Sequence, residues 1–423
     1  MGFIANLAAA AAAIIFVSYY LLKTKKSPTI TNDPEICAMV LRAICYDGSA
    51  NTNTLSPAES RAIPNQRLIR AFSIANAFTT TNSGYVKLFR KRAENSMNRL
   101  DSNGWKRFAD LTEQLVRTGI GQPRAGITKI RLDALTQSVS LKIVLHVLFA
   151  LDPLQLDNNP IQALAEGIHY LWVKSKGDTP ITDEDREKVT GPIVQLFGSQ
   201  STNLQDNKMN LILPAYETLW RVVLFGCIEV VFGANAHPGW NSALAQYLAH
   251  PEPATFTRRA HDPSTEAVDT EVSVHDIVQE SLRLYPPTKR VYRAYKTASQ
   301  EIPNVVAADI EACHRLPHIW GDDSKQFVPS RWAKMEEETH QARAMKKAFM
   351  PFGGGQFICP AGGVFGPRMI GLLIAGLAGE VKGAECRLWI REAGSEVVRE
   401  FSGEGWLDSR RVGYEWMEIS RRG

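Results

Sequence analysis

Residues 349–369 read Phe-Met-Pro-Phe-Gly-Gly-Gly-Gln-Phe-Ile-Cys-Pro-Ala-Gly-Gly-Val-Phe-Gly-Pro-Arg-Met, and they constrain the fold more than any other stretch. Three consecutive glycines, 353–355, let the backbone take positive φ and lie close against a flat partner. Cys359 follows, and Pro360 is expected in the first turn of a helix, where no N–H is needed. The apolar run from Met369 to Leu377 reads as the buried body of that helix. A thiolate at a helix mouth is favoured by free N–H groups and by the positive end of the dipole.

Six cysteines (37, 45, 227, 313, 359, 386) are scattered with no metal-ligand spacing, so the loop offers one thiolate. A lone cysteine is more often a small buried hydrophobe. Set in this glycine frame, it suits a single axial ligand on haem iron. The pattern Phe352-Gly-Gly-Gly355-x-x-x-Cys359-x-Ala361 resembles the haem-binding signature of the cytochrome P450 family. That resemblance implies haem b (iron protoporphyrin IX), with Cys359 on the iron and Phe352 and Gly355 shaping its loop. The family usually has a basic residue two positions before the cysteine, where this chain has Phe357.

Two further motifs precede the loop in the family's order. Ser273-Val-His-Asp276 is a capping box opening a helix that runs to Tyr285 and stops at Pro286-Pro287. On it Glu280 and Arg283 stand at i, i+3 and can pair. Glu280-x-x-Arg283 resembles the family's Glu-x-x-Arg helix, and Phe327-Val-Pro329-Ser-Arg331-Trp332 its Pro-x-Arg element. The resemblance implies a buried Glu280–Arg283–Arg331 triad that locks the cysteine loop. It also puts Arg293, on the strand after Pro-Pro, against a haem propionate.

Asn210–Phe232 reads as a long apolar helix with Pro214 inside it; the proline removes one backbone bond and frees the carbonyl of residue 210. Glu217 and Thr218, an acid beside a hydroxyl on an apolar helix, need partners if buried. They resemble the acid–threonine pair of the family's central helix, which implies proton delivery. The bland reading has Glu217 in solvent and Thr218 bonded back to a carbonyl. Arg90 lies on a helix expected over Tyr85–Leu100; it reads as part of a solvated basic face or, by resemblance, as a propionate contact. Val86 stands where the family's usual tryptophan would be. Helices are also expected over Ile36–Ile44, Trp105–Val116 and Leu132–Leu151, and strands around Val291–Tyr295 and Ile302–Ala308.

Gly2 to Leu22 is almost wholly apolar, and about 20 residues span the ~30 Å hydrocarbon layer. Lys23, Lys25 and Lys26 follow it, which favours an anchor with a cytosolic domain over a cleaved signal peptide, whose charge would come first. Residues 23–65 read as a linker leading into a catalytic domain over 66–423. A net charge of +4 in 423 residues gives no argument for nucleic acid as a partner. Arg343, Lys346, Lys347 and Arg368 flank the cysteine loop and are expected to form a basic patch.

The fold implied is mainly α, the cytochrome P450 fold with a minor β region and one N-terminal transmembrane helix. The implied function is a membrane-anchored, single-pass monooxygenase of the endoplasmic reticulum. It would oxidise an apolar small molecule, most like members serving fungal secondary metabolism, with electrons from a separate NADPH-cytochrome reductase. Two alternatives stay open: a reductase-independent peroxygenase or isomerase, and a non-catalytic haem-binding relative.

Overall fold

The computed structural model describes residues 27–44, 53–98, 100–121, 127–199, 203–259, 272–335, 339–381, 386–392, 395–403 and 414–422. The anchor expected at 1–22 lies outside them. The longer helices are α1 (Pro34–Arg42), α2 (Pro57–Phe72), α3 (Ser83–Met97), α4 (Ser102–Ile120), α5 (Leu132–Phe149), α6 (Asn158–Lys174) and α7 (Asp183–Phe197). They continue as α8 (Met209–Phe232), α9 (Pro238–Ala249), α10 (Val274–Leu284), α11 (His340–Ala348) and α12 (Phe365–Val381).

Local chemistry sets many of these starts. Asp33 accepts from the N–H groups of Glu35 and Ile36 ahead of α1, with Pro34 in its first turn. Ser56 and Glu59 form a reciprocal capping box on α2, and Ser273 and Asp276 do the same on α10.

The main core is helical. α12 packs against α4, α8, α9 and α10, and α8 also packs on α5. Nearly every residue of α12 from Pro367 to Ala378 is buried. Small residues permit the close approach: a Cβ on Gly226 of α8 would lie 2.6 Å from Ile374 Cδ1 and 2.7 Å from Ser281 Oγ. Leu132–Phe149 and Met209–Phe232 are long and apolar enough to cross a membrane, but both are mostly buried in this core.

Two small sheets flank the helices. Strands β1 (Thr29–Thr31), β4 (Asn304–Asp309) and β3 (Arg290–Tyr295) form one, with β1 parallel to β4 and β3 antiparallel to it. Strands β2 (Ile127–Arg131), β7 (Tyr414–Arg422), β5 (Cys386–Glu392) and β6 (Val398–Glu400) form the other, antiparallel throughout. A second core lies under the first sheet and includes Cys37, Leu41, Val306, Trp320, Trp332 and Met345. Phe349 packs against both cores.

Three expectations change here. The linker boundary at 65/66 falls inside α2, and α1 belongs to the second core, because Cys37, Val40 and Leu41 are buried, while β1 forms the edge of the first sheet. Pro360 is not in a helix: residues 360–364 form turns and α12 begins at Phe365. Gly362 and Gly363, poor helix formers, delay the start. The helix expected over Leu132–Leu151 stops at Phe149, since Ala150 takes a left-handed cap with φ 57°.

Candidate functional site

The cysteine loop is folded on itself by short bonds. Gly353 and Gly355 take positive φ (77° and 57°), and a Cβ on Gly355 would sit 2.9 Å from Arg42 Cγ. The carbonyl of Phe352 accepts the Cys359 N–H at 2.8 Å, and the Cys359 carbonyl accepts the Gly362 N–H at 3.0 Å. Cys359 is the exposed cysteine among the described residues; Cys37, Cys227 and Cys313 are buried. Burial pushes the Cys227 thiol up to about 12. The protein crowding Cys359 also raises its thiol, while N–H groups of Ala361 and Gly362 and the charges of Arg61 and Arg90 pull it the other way.

Glu280 and Arg283 lie on one face of α10 and are both fully buried, with Arg283 Nη2 2.7 Å and Nε 2.8 Å from the carboxylate. Arg331 Nε donates to Glu280 Oε1 at 3.0 Å, as do the Val328 N–H at 2.9 Å and, to Oε2, Trp332 Nε1 at 3.0 Å. Arg283 directs its other donors to the carbonyls of His314, Ser324 and Gln326. Burial alone would raise the Glu280 carboxyl, but Arg283 and Arg331 outweigh it and hold the group below its usual range.

This cluster reaches the cysteine loop through His314, which the sequence did not single out. Met350 N–H donates to His314 Nε2 at 3.0 Å, so Nδ1 carries the proton and donates to the Arg283 carbonyl at 3.1 Å. Full burial holds His314 down to about 3, so it stays neutral. Trp332 and His314 both contact the Phe349 ring, with centroids 4.6 and 5.3 Å away.

The stretch from α10 to α12 is also where similarity to known proteins concentrates. The Cytochrome P450 family model matches residues 258–377, which contain the Glu280–Arg283 helix, Arg331 and the Cys359 loop. Over this stretch the chain is similar to the cytochrome P450 family. Cytochrome P450 734A5 of rice (Oryza sativa subsp. japonica) is 29% identical over 160 residues, 36% of this chain and 28% of that protein. Cytochrome P450 CYP82D47 of Panax ginseng is 33% identical over 113 residues, 25% of this chain and 30% of that protein. The matched stretches span less than half the length of these P450 relatives. The P450 fold extends further: the crystal structure of CYP175A1 from Thermus thermophilus superposes with a TM-score of 0.56 at 15% identity. That superposition covers 93% of this chain and 89% of that one.

The family implies haem, and the side chains round Cys359 fit its chemistry. Arg293 on β3 is buried, with its Nη groups on the carbonyls of Tyr292 and Leu41 and its Nε unpartnered. It pairs with no carboxylate among the described residues, so this buried cation suits an anionic group such as a propionate. Arg61 on α2 shares that setting and was not foreseen; an arginine in a polar stretch gives no local sign of burial. Arg90 sits on α3 and pairs at the surface with Glu94, Nε to Oε1 at 2.7 Å, as a solvated helix face would.

On α8 the bland reading holds for Thr218 and fails for Glu217. Thr218 Oγ1 donates to the Pro214 carbonyl at 2.8 Å. Glu217 is 1% exposed, not in solvent, with Arg221 Nε 3.5 Å from its Oε1. The carbonyl of Asn210, left without its partner by Pro214, accepts Asn76 Nδ2 at 3.1 Å. Arg368 leaves the expected basic patch: it is buried over the Trp105 ring and bonded to the Pro251 carbonyl. Arg343, Lys346 and Lys347 are exposed, with Lys347 paired to Glu35.

Proposed function

We propose that the chain is a haem-thiolate monooxygenase that oxidises an apolar small molecule, by hydroxylation or oxidative coupling, with electrons from a separate NADPH-cytochrome reductase. Bound haem supplies the activation of dioxygen, from which one oxygen atom goes to substrate and the other leaves as water. The observation that carries the reading is the Cys359 thiol, accessible in a loop tied through His314 to the Glu280–Arg283–Arg331 cluster. Cys359 holds the iron, Phe352 and Gly355 fix the loop, and Arg293 takes a propionate. Thr218 holds a proton at Oγ1, and Glu217 relays protons to it from solvent. Arg90 contributes field at the thiol, which it lowers from its surface position.

Residues 1–22 anchor the protein in the endoplasmic reticulum with the domain in the cytosol. A fungal secondary metabolite as substrate rests on the sequence resemblance alone.

The test is a carbon monoxide difference spectrum of the reduced protein. A red-shifted thiolate band is expected in the wild type and in substitutions of Cys37, Cys45, Cys227, Cys313 or Cys386, and its loss in Cys359→Ser. A Cys359→Ser protein that keeps the band sinks the reading. One observation favours the reductase-independent alternative: the Thr218 hydroxyl is committed to Pro214 and Glu217 to Arg221. Turnover driven by peroxide but not by NADPH and reductase would select it.

A further inference from the structure

The Phe357 ring lies under two guanidinium groups. Arg61 Cζ is 4.8 Å and Arg293 Cζ 4.9 Å from its centroid, and Arg61 Cζ is also 4.2 Å from the Phe78 ring. Both arginines are more than nine-tenths buried, at 8% and 4% exposure. Their elements are far apart in sequence, and the packing of α2 on β3 brings them together.

Two like charges buried side by side repel, and each has also lost its water. Burial first and then Arg293 pull the Arg61 guanidinium down to about 9, and burial pulls Arg293 down to about 10. No carboxylate offsets either charge among the described residues. The Arg61 guanidinium has no protein hydrogen-bond acceptor there, and Arg293 Nε has none. The aromatic faces of Phe78 and Phe357 accept the cations without neutralising them. Idle donors and unbalanced charge therefore converge at one place, two residues from Cys359 in the loop, and the Arg61 charge is felt at the thiol.

We infer that Arg61 is a haem-propionate ligand: with Arg293 it forms a two-guanidinium seat over Phe357, so that helix α2 supplies the cation that Phe357 cannot. This rests on the haem-thiolate reading. A haem bound through Cys359 is a rigid plate with two carboxylate arms, so a carboxylate seat near the thiol makes the binding two-pointed. Arginine suits the seat because its fork matches a carboxylate and its plane stacks on the rings. The seat also makes α2 part of the cofactor site, although α2 lies some three hundred residues before the loop.

The test uses full-length protein loaded with either haem or haem dimethyl ester, whose propionates carry no charge. Haem loss is measured by transfer to apomyoglobin, and ligation by the carbon monoxide difference spectrum. Arg61→Leu is expected to release haem about tenfold or more faster than wild type, with the thiolate band unmoved. Arg61→Lys should fall between the two. Arg61→Leu combined with Phe357→Arg should recover most of the retention, since the cation returns from the loop side. With the dimethyl ester, wild type and Arg61→Leu should release at the same rate. An unchanged rate for Arg61→Leu with haem overturns the proposal. So does an equal acceleration with haem and ester, which would make Arg61 a packing residue only. A wild type with no thiolate band fails differently, because it removes the haem-thiolate reading itself.

Discussion

Thr218 spends its one hydroxyl proton on the Pro214 carbonyl, and the proposed proton-delivery role asks for that proton elsewhere. The present bond, at 2.8 Å, is a normal helix back-bond. For proton delivery the hydroxyl must turn away from it, and general acid or base help of this kind is worth about 10²–10⁴-fold. Thr218→Val keeps the shape and removes only the hydroxyl. The expected result is intact haem and substrate binding, continued NADPH consumption, and diversion of much of that consumption to hydrogen peroxide. Unchanged product per NADPH would leave the Pro214 bond as the whole role of Thr218. Residues whose meaning is set by near neighbours were legible in the sequence. Cys359 stands in its glycine frame, and Glu280 and Arg283 are one helical turn apart. Arg61 and His314 were not legible, because their importance comes from burial by elements far away in the chain.

At the scale of elements, α10 carries the heaviest polar load. Glu280 accepts from Arg283, Arg331, Val328 and Trp332, so removing it strands two buried cations, and Glu280→Ala should cost about 3–5 kcal/mol. The same elements give stability a pH signature. An unfolded histidine titrates near 6.5 and His314 near 3, so stability is fully present above 6.5 and drains as pH falls towards 3. Glu229 on α8, bonded to Tyr285, runs the other way. Burial raises it from 4.5 to about 7, so stability is greatest below 4.5 and falls as pH rises through 7. Unfolding midpoints between pH 4 and 8 should separate the two. Glu229→Gln should gain on wild type as pH rises from 4.5 to 7, and the deficit of His314→Gln should shrink as pH falls below 6.5. Parallel curves for wild type and either variant would remove that residue from the account. The capping residues of α2 and α10 were readable because a cap is a contact within four residues. The place of β1 at the sheet edge and of α1 in the second core was not, because the Pro, Asn and Thr content around them reads as linker until the pairing with β4 is known.

At the scale of the molecule, the cysteine loop sits at the seam between two cores, and its outer side carries the charge. A groove of about 460 Å³ lined by Glu35, Met39, Arg42, Lys346, Lys347 and Gly353 opens beside the loop. Changing Lys346 and Lys347 to Glu should raise the reductase concentration for half-maximal turnover several-fold at low salt. The gap to wild type should close as salt screens the charges, and peroxide-driven turnover should hold steady. Equal loss in both assays would point to a damaged haem site instead. The mainly helical class was legible from apolar spacing, while the course of the last forty residues into β5, β6 and β7 was visible only as short strands and turns. The bond from Asn76 to the Asn210 carbonyl has a consequence in time. That contact joins residues 134 positions apart. A chain made from its N-terminus has released the Asn76 loop well before α8 exists, so the amide waits for the helix that needs it. The opening turns of α8 therefore become secure only as they dock, and this long core helix is finished by its neighbour.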